Sequence, residues 1–160
     1  MSIWEQEATK SGRRLALGLM ACGLLLPLAA CGQAVKKEIW LNVEMVSYVD
    51  RPIFDIIFNG TDLGVMDEFG STGTITEVRI PFGIQALKWT LDGPKDSPRN
   101  GEVVTIKNQL VISAEQIPLG TRYLGLHLYP DNTAEVTFDE FLPQRTQRGK
   151  ECRLKRAKNE

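Results

Sequence analysis

The sequence predicts an all-β fold, a two-sheet antiparallel β-sandwich of about seven strands. Two observations lead to this prediction. From Glu38 onward apolar and polar residues alternate with a period of two, and turn residues separate short apolar runs. Almost no window has the spacing of an amphipathic helix. An open barrel is the alternative that the same pattern allows. After removal of the first 30 of the 160 residues, the chain suffices for one domain, predicted over residues 38–143.

The strands follow from the alternation and from the turns between them. In residues 38–49 Ile39, Leu41, Val43 and Met45 fall on one face of a strand. A second strand over residues 53–58 ends at the turn dipeptide Asn59-Gly60, so the first two strands are predicted to form a hairpin-like corner. Further strands are predicted over residues 74–80, 86–91, 102–112, 122–129 and 133–138, and the last two form an antiparallel hairpin.

The side chains predicted to face the core come from all parts of this pattern. They are Leu41, Val43, Ile57, Trp89, Val104, Ile106, Leu124, Leu126, Leu128, Val136 and Phe138. One helical turn is predicted at residues 113–116, where Ser113 and Gln116 have capping-box spacing and Pro118 prevents a longer helix.

The N-terminus predicts export and anchoring. Sixteen apolar or small residues, 15–30, follow Arg13 and Arg14, which is typical of a secretory signal peptide and too short for a membrane-spanning helix. Residues 28–31 (LAAC) resemble the lipobox of bacterial lipoproteins. The resemblance implies that residues 1–30 are removed and that Cys31 carries acyl chains on a tether of residues 31–37, with Gly32 directing the protein to the periplasmic face of the outer membrane. Acyl chains hold a soluble domain on a bilayer without a spanning helix.

Charge is unevenly divided. Residues 31–143 hold nine Lys or Arg against sixteen Asp or Glu, a net charge of −7, whereas residues 144–160 hold seven against two, a net charge of +5. The basic segment, poor in large apolar residues, is predicted to be a flexible tail that is solvated or lies on the acidic domain or on anionic lipid. The total of −1 gives no reason to expect nucleic-acid binding.

No pattern of catalytic residues is found. His127, the single histidine, alternates with Leu126 and Leu128, which predicts a position at the surface or on the sheet face away from the core, and no serine lies in a G-x-S-x-G motif. Removal of Cys22 and acylation of Cys31 would leave Cys152 alone, so neither a disulfide nor a closed zinc site is expected. We therefore predict a protein that is not an enzyme and needs no cofactor.

The segment over residues 59–73 is the candidate binding surface. It is long for a hairpin connection and mixes apolar Met66 and Phe69 with acidic Asp62, Asp67 and Glu68. An exposed aromatic ring surrounded by carboxylates would anchor a protein partner. In the alternative interpretation, Met66 and Phe69 fold back into the core.

Residues 47–65 (SYVDRPIFDIIFNGTDLGV) and 123–143 (YLGLHLYPDNTAEVTFDEFLP) resemble a family of small bacterial lipoproteins. Its members act as periplasmic immunity proteins against phospholipase effectors of the type VI secretion system. Relatives also carry a Gly-rich, Cys-containing segment after the first hairpin, but residues 68–73 contain no cysteine. The resemblance implies that the tethered domain binds a secreted lipase and occludes its active site or membrane-binding face.

The residues predicted to contact this partner are Asp50, Arg51, Asp62, Asp67, Glu68 and Phe69. Acidic groups suit a basic lipase surface and accelerate association. Two other functional classes stay open at this point: a structural lipoprotein of an envelope or secretion complex, and an enzyme or small-ligand binder whose pocket no motif reveals.

Overall fold

The computed structural model describes residues 37–158, and it confirms the all-β prediction. Ten strands and two short helical elements follow one another along the chain. The strands are β1 (Glu38–Ser47), β2 (Ile53–Phe58), β3 (Thr61–Asp62), β4 (Ser71–Pro81), β5 (Gly83–Gln85), β6 (Leu87–Leu91), β7 (Val103–Thr105), β8 (Leu110–Ile112), β9 (Tyr123–Leu128) and β10 (Ala134–Asp139). A 3-10 turn at Ala114–Gln116 follows β8, and helix α1 (Gln147–Ala157) follows β10.

The first sheet has the order β10-β9-β1-β4 and is mixed rather than purely antiparallel. β1 is antiparallel to β4, with Glu38 opposite Pro81. β1 and β9 run parallel, with Asn42 opposite Tyr123. The prediction of antiparallel pairing fails at this one pair, because β2 to β8 lie between β1 and β9 along the chain and so long a connection permits parallel pairing. The predicted hairpin of β9 and β10 is confirmed.

The second sheet has the order β3-β2-β6-β7, and β5 and β8 form a separate two-stranded sheet. β1 and β2 therefore lie in different sheets: the predicted corner between them is present, but they do not pair as a hairpin. The strand predicted over residues 102–112 is divided into β7 and β8. The predicted turn at residues 113–116 is present, and Gln116 closes its capping box on Ser113.

Both four-stranded sheets contribute to the core. Val43, Trp89 and Leu126 are fully buried within it, and each large apolar side chain removed from water stabilises the fold by about 1.5–3 kcal/mol. Ile57 is a correction to the predicted core set, because Ile56 is fully buried in its place. Asp55 has φ +47 and the β2–β6 register shifts there, so this bulge turns the following residues over. Ile106, Val136 and Phe138 are partly buried against the core.

The flexible tail predicted from composition is instead a helix over residues 147–157. Thr146 caps α1 by accepting a hydrogen bond from the Gly149 amide at 3.0 Å. The Arg148 guanidinium lies 3.7 Å from the centroid of the Tyr129 ring and pairs with Asp131 at 2.8 Å. Composition misses this packing because the helix uses a glycine and a cation to contact aromatic rings, with no apolar stripe.

Candidate partner-binding surface

The predicted contact residues differ in exposure and in surroundings. Asp50, Asp62, Asp67 and Glu68 are exposed, whereas Arg51 and Phe69 are partly buried. Asp67, Glu68 and Phe69 are consecutive and lie beside the C-terminal end of α1, since Arg156 contacts both Glu68 and Phe69. Asp50 is joined to this group because the Phe69 amide donates to the neighbouring carbonyl of Val49 at 3.1 Å.

Residues 61–66 run antiparallel to β2 and precede Asp67 and Glu68. β3 pairs with β2, and the Asp62 carboxylate accepts a hydrogen bond from the Gly64 amide at 2.7 Å. Met66 then forms a β-bridge with Ile53 and is buried, so it folds back into the core. Asp62 therefore serves a local turn and is separated along β2 from Asp67.

The Phe69 ring is neither exposed as an anchor nor folded back into the core, the two positions that the sequence allows. Its backbone is held at φ +51 in a turn that the Gly70 amide closes onto the Asp67 carbonyl at 3.1 Å. The Arg156 guanidinium lies 4.7 Å from the ring centroid, and Arg156 also pairs with Glu68 at 3.6 Å. The ring is thus partly covered by a cation of α1 rather than left bare or inserted into the core.

A cleft of about 350 Å³ separates this loop from the helix. Its lining combines the loop with the last turns of α1: Glu68, Phe69, Arg153, Arg156 and Ala157. The Glu68 carboxylate on one wall and the Arg153 and Arg156 guanidinium groups on the other give the cleft both signs of charge around one aromatic ring. We define the cleft surface as these five residues together with Asp67. Such a combination suits recognition of a polar protein surface.

Arg51 has a structural set of partners. Its guanidinium donates to the Asp92 carbonyl at 2.7 Å, to the Pro98 carbonyl at 2.9 Å and to the Asn100 side chain at 2.5 Å. These bonds fasten the loop between β6 and β7 to the corner between β1 and β2. The predicted role of Arg51 in partner contact therefore competes with a role in holding this loop.

His127 has the predicted orientation away from the core, but it is fully buried rather than at the surface. Tyr48 covers the ring, and α1 packs on Tyr48 in turn. Tyr48 stacks on it with centroids 6.1 Å apart, and the Tyr48 hydroxyl lies 3.3 Å from Nδ1. Nε2 lies 3.3 Å from the Thr137 hydroxyl, which in turn donates to Asp139 at 2.7 Å.

Burial lowers the pKa of His127, although the carboxylates of Glu135 and Asp139 act in the opposite direction. Burial also raises the pKa of the Tyr48 and Tyr129 hydroxyls. Near pH 7, His127, Tyr48 and Tyr129 are therefore all neutral, and the Tyr129 hydroxyl donates a hydrogen bond to Glu135. The role of this cluster in the fold is to hold α1, because Thr146 bonds to both tyrosines.

Gly149 allows this close approach. It is buried, and a Cβ atom at this position would overlap the Tyr48 ring. Sequence reasoning missed the cluster, although one signal was present: Tyr48, His127 and Tyr129 all have the outward parity of their strands, and three outward-facing rings indicate a cover. Cys152 of α1 packs, half-buried, against Val46 and the two tyrosines.

Within residues 37–158, no helix is long and apolar enough to cross a bilayer. In the same range, no group of three or more His, Cys, Asp or Glu side chains is arranged to hold a metal ion. The predicted signal peptide and the acylation site Cys31 lie outside the described residues.

Compared with family models, curated proteins and solved structures, the chain gives no match. The resemblance to immunity lipoproteins in residues 47–65 and 123–143 therefore stays a prediction.

Proposed function

We propose that this protein is an outer-membrane lipoprotein, acylated at Cys31 and facing the periplasm, that binds a type VI secretion phospholipase effector and neutralises it. The observation that carries the surface assignment is the exposed pair Asp67 and Glu68 beside the partly covered Phe69 ring at the mouth of the cleft. The resemblance of residues 47–65 and 123–143 to immunity lipoproteins supplies the class of partner.

Inhibition by this surface is steric. The loop is braced by the Gly70–Asp67 turn and by Arg156, so it presents its carboxylates in one arrangement and loses little conformational entropy on binding. The surplus of negative charge in residues 31–143 favours the approach of a basic lipase to the domain as a whole. A lipase held through its active site or membrane-binding face cannot reach phospholipid.

The lipid anchor adds to this mechanism. A secreted lipase acts on the membrane surface, and the anchor keeps its inhibitor on that surface. The effective concentration of the inhibitor is then set by the tether rather than by its bulk concentration, without additional contacts.

The first test is a capture experiment on cells that make the protein. The unacylated chain of residues 32–160 serves as bait, and any stoichiometric partner is identified by mass spectrometry. The expected result is a secreted lipase. Capture of a secretion-channel or other envelope component with no lipase contradicts the proposal and supports a structural lipoprotein instead.

Charge-removing variants then test the surface. Asp67→Asn combined with Glu68→Gln keeps the shape of both side chains and should weaken lipase binding tenfold or more, as expected for about 1.4 kcal/mol or more of lost interaction. Asp96→Asn is the matched control, because Asp96 is an exposed carboxylate in the loop between β6 and β7. Equal affinity of the double variant and the native chain would remove the cleft surface from the interface.

A further inference from the structure

Exposed apolar side chains lie at one end of the first sheet, near the point where the described chain begins. Trp40 is 59% exposed, Phe141 71% and Leu142 53%, and Leu119 is completely exposed. Single exposed apolar residues are ordinary, but a group of large ones marks a surface that contacts another apolar phase.

Backbone hydrogen bonds bring these residues to the same end of the sheet. The Asn42 amide donates to the Arg122 carbonyl at 3.0 Å, and the Arg122 amide donates to the Asp139 carbonyl at 3.0 Å. Trp40 lies two residues before the first of these positions, Leu119 three before the second, and Phe141 two after the third. We call Trp40, Leu119, Phe141 and Leu142 the apolar end.

A neighbouring sheet adds two more such residues near the same end. The Phe82 amide donates to the Lys37 carbonyl at 2.9 Å, which places the start of β5 beside the start of β1. Ile84 and Val111 are opposite each other in the β5–β8 pair and are 68% and 43% exposed. Within residues 37–158, six of the nine exposed large apolar side chains are thus in or next to segments that hydrogen bonds connect, directly or through one neighbouring segment, to residues 37–42. These six side chains are therefore grouped rather than scattered over the surface.

Cys31 is close to this end along the chain. Lys37 is the sixth residue after Cys31, and a fully extended chain over these six steps spans at most about 21 Å. A bilayer that holds acyl chains on Cys31 is therefore within reach of the segments that adjoin Lys37. Indole rings prefer the boundary between water and hydrocarbon, and Phe and Leu side chains occur on protein faces that insert there.

We infer that the apolar end docks on the bilayer surface, with Trp40, Leu119, Phe141 and Leu142 inserted among the lipids beside the anchor. The inference rests on the anchoring at Cys31 that the proposed function includes. Docking through this end fixes the orientation of the domain, whereas an anchor alone would let it tumble. The binding energy comes from apolar contact rather than from attraction to anionic lipid, because the opposite charges of Arg122 and Glu140 near the same residues offset each other.

The test uses the mature chain, residues 31–160, with Cys152→Ser so that Cys31 is the single thiol. Cys31 is coupled to a maleimide-headgroup lipid in vesicles of phosphatidylethanolamine and phosphatidylglycerol, with either ordinary or brominated acyl chains. This coupling supplies the anchor chemically, so the outcome does not depend on acylation in cells, which mass spectrometry of the native protein tests separately. Bromine quenches tryptophan that enters the acyl region.

The chain offers an internal reference, since Trp89 is fully buried and Trp40 is the other tryptophan of residues 31–160. We expect a blue shift of the emission on coupling and a loss of emission in brominated vesicles, both absent in Trp40→Phe. Without the covalent anchor, Phe141→Ser and Leu119→Ser should each lower vesicle partitioning of the unacylated chain about tenfold, because each removes a large apolar side chain that the bilayer would bury.

Leu154→Ser is the matched control, because Leu154 is 63% exposed but belongs to α1. It should leave quenching and partitioning unchanged. Equal emission of the coupled native chain in ordinary and brominated vesicles would overturn the inference, as would an equal effect of Leu154→Ser and Phe141→Ser. Self-association of the chain that Phe141→Ser abolishes, with no quenching, would likewise overturn it and assign the apolar end to a second copy.

Discussion

Outward-facing aromatic side chains of the first sheet are covered in one region and exposed in another. Tyr48, His127 and Tyr129 are completely buried, whereas Trp40 in β1 is exposed, and so is Phe141 just beyond β10. The cover over the two tyrosines comes from the chain itself, through α1. The comparison indicates that the fold itself completes the first group, and it directs the search for an external partner to the uncovered group.

Gly149→Ala, in the covered region, should lower the unfolding free energy more than the other variants described below. The added Cβ would overlap the Tyr48 ring, so α1 must move away or the ring must shift, and we expect a loss of about 3 kcal/mol of unfolding free energy. Chemical denaturation measures it, with Lys150→Ala on the exposed side of the same helix as the control.

An increase in the unfolding free energy of Gly149→Ala would contradict the packing of α1 on Tyr48. In a helix that did not pack on the sheet, alanine would be better than glycine by up to about 1 kcal/mol. A stabilised Gly149→Ala variant would therefore mean that α1 does not lie on Tyr48.

The pH dependence of stability should reveal the buried histidine. The folded pKa of His127 lies below its ordinary value of 6.5, so the unfolded chain binds the proton more readily. Stability from this group is fully present above pH 6.5. It is lost as the pH falls below 6.5 towards the folded pKa, by at most about 1.4 kcal/mol per pH unit.

Denaturation curves between pH 7.5 and 5.5 measure this loss, and no second histidine contributes because the chain has one. The nearby Glu135 and Asp139 carboxylates oppose the shift. His127→Gln should flatten the curve in this range. An unchanged slope in the variant would show that another group is responsible.

Arg148→Ala should have a smaller effect, about 1 kcal/mol. It removes the contact of the guanidinium with the Tyr129 ring and an exposed ion pair to Asp131, and neither contributes much alone. Arg145→Ala, at an exposed position just before α1, is the control for the lost charge. Equal destabilisation by both variants would indicate a general effect of charge rather than packing on Tyr129.

The smallest effect is expected at the uncovered group. Trp40→Ser should change the unfolding free energy of the soluble chain by less than about 0.5 kcal/mol, because the ring is mostly exposed. Thermal and chemical unfolding of the unacylated chain measure it. A loss of 2 kcal/mol or more would show that Trp40 belongs to the fold and would weaken its assignment to an external surface.

Local patterns in the sequence predict most of the strands. Alternation around Leu41 and Leu126 identifies which faces are buried, and Pro118 limits the 3-10 turn, because both effects act over a few residues. The bulge at Asp55 is not predictable in this way, since it depends on a positive φ that the sequence does not encode locally. The parallel pairing of β1 with β9 is decided by contacts between distant parts of the chain.

The candidate site is predicted less completely. The acidic residues Asp67 and Glu68 are visible in the sequence, but the cation above Phe69 is not, because Arg156 is 87 positions away along the chain. Gly149 even argues against a helix when propensity alone is considered. Only the packed structure shows that a glycine there lets α1 approach Tyr48 and form the second wall of the cleft.

The central claim is that this domain neutralises a lipase, and hydrolysis of phospholipid vesicles tests it most directly. The lipase captured from the cells is titrated with the unacylated chain, and released fatty acid is measured. We predict that hydrolysis stops at one equivalent of the native chain and persists with the Asp67→Asn, Glu68→Gln variant. Full hydrolysis at saturating native chain would contradict the claim.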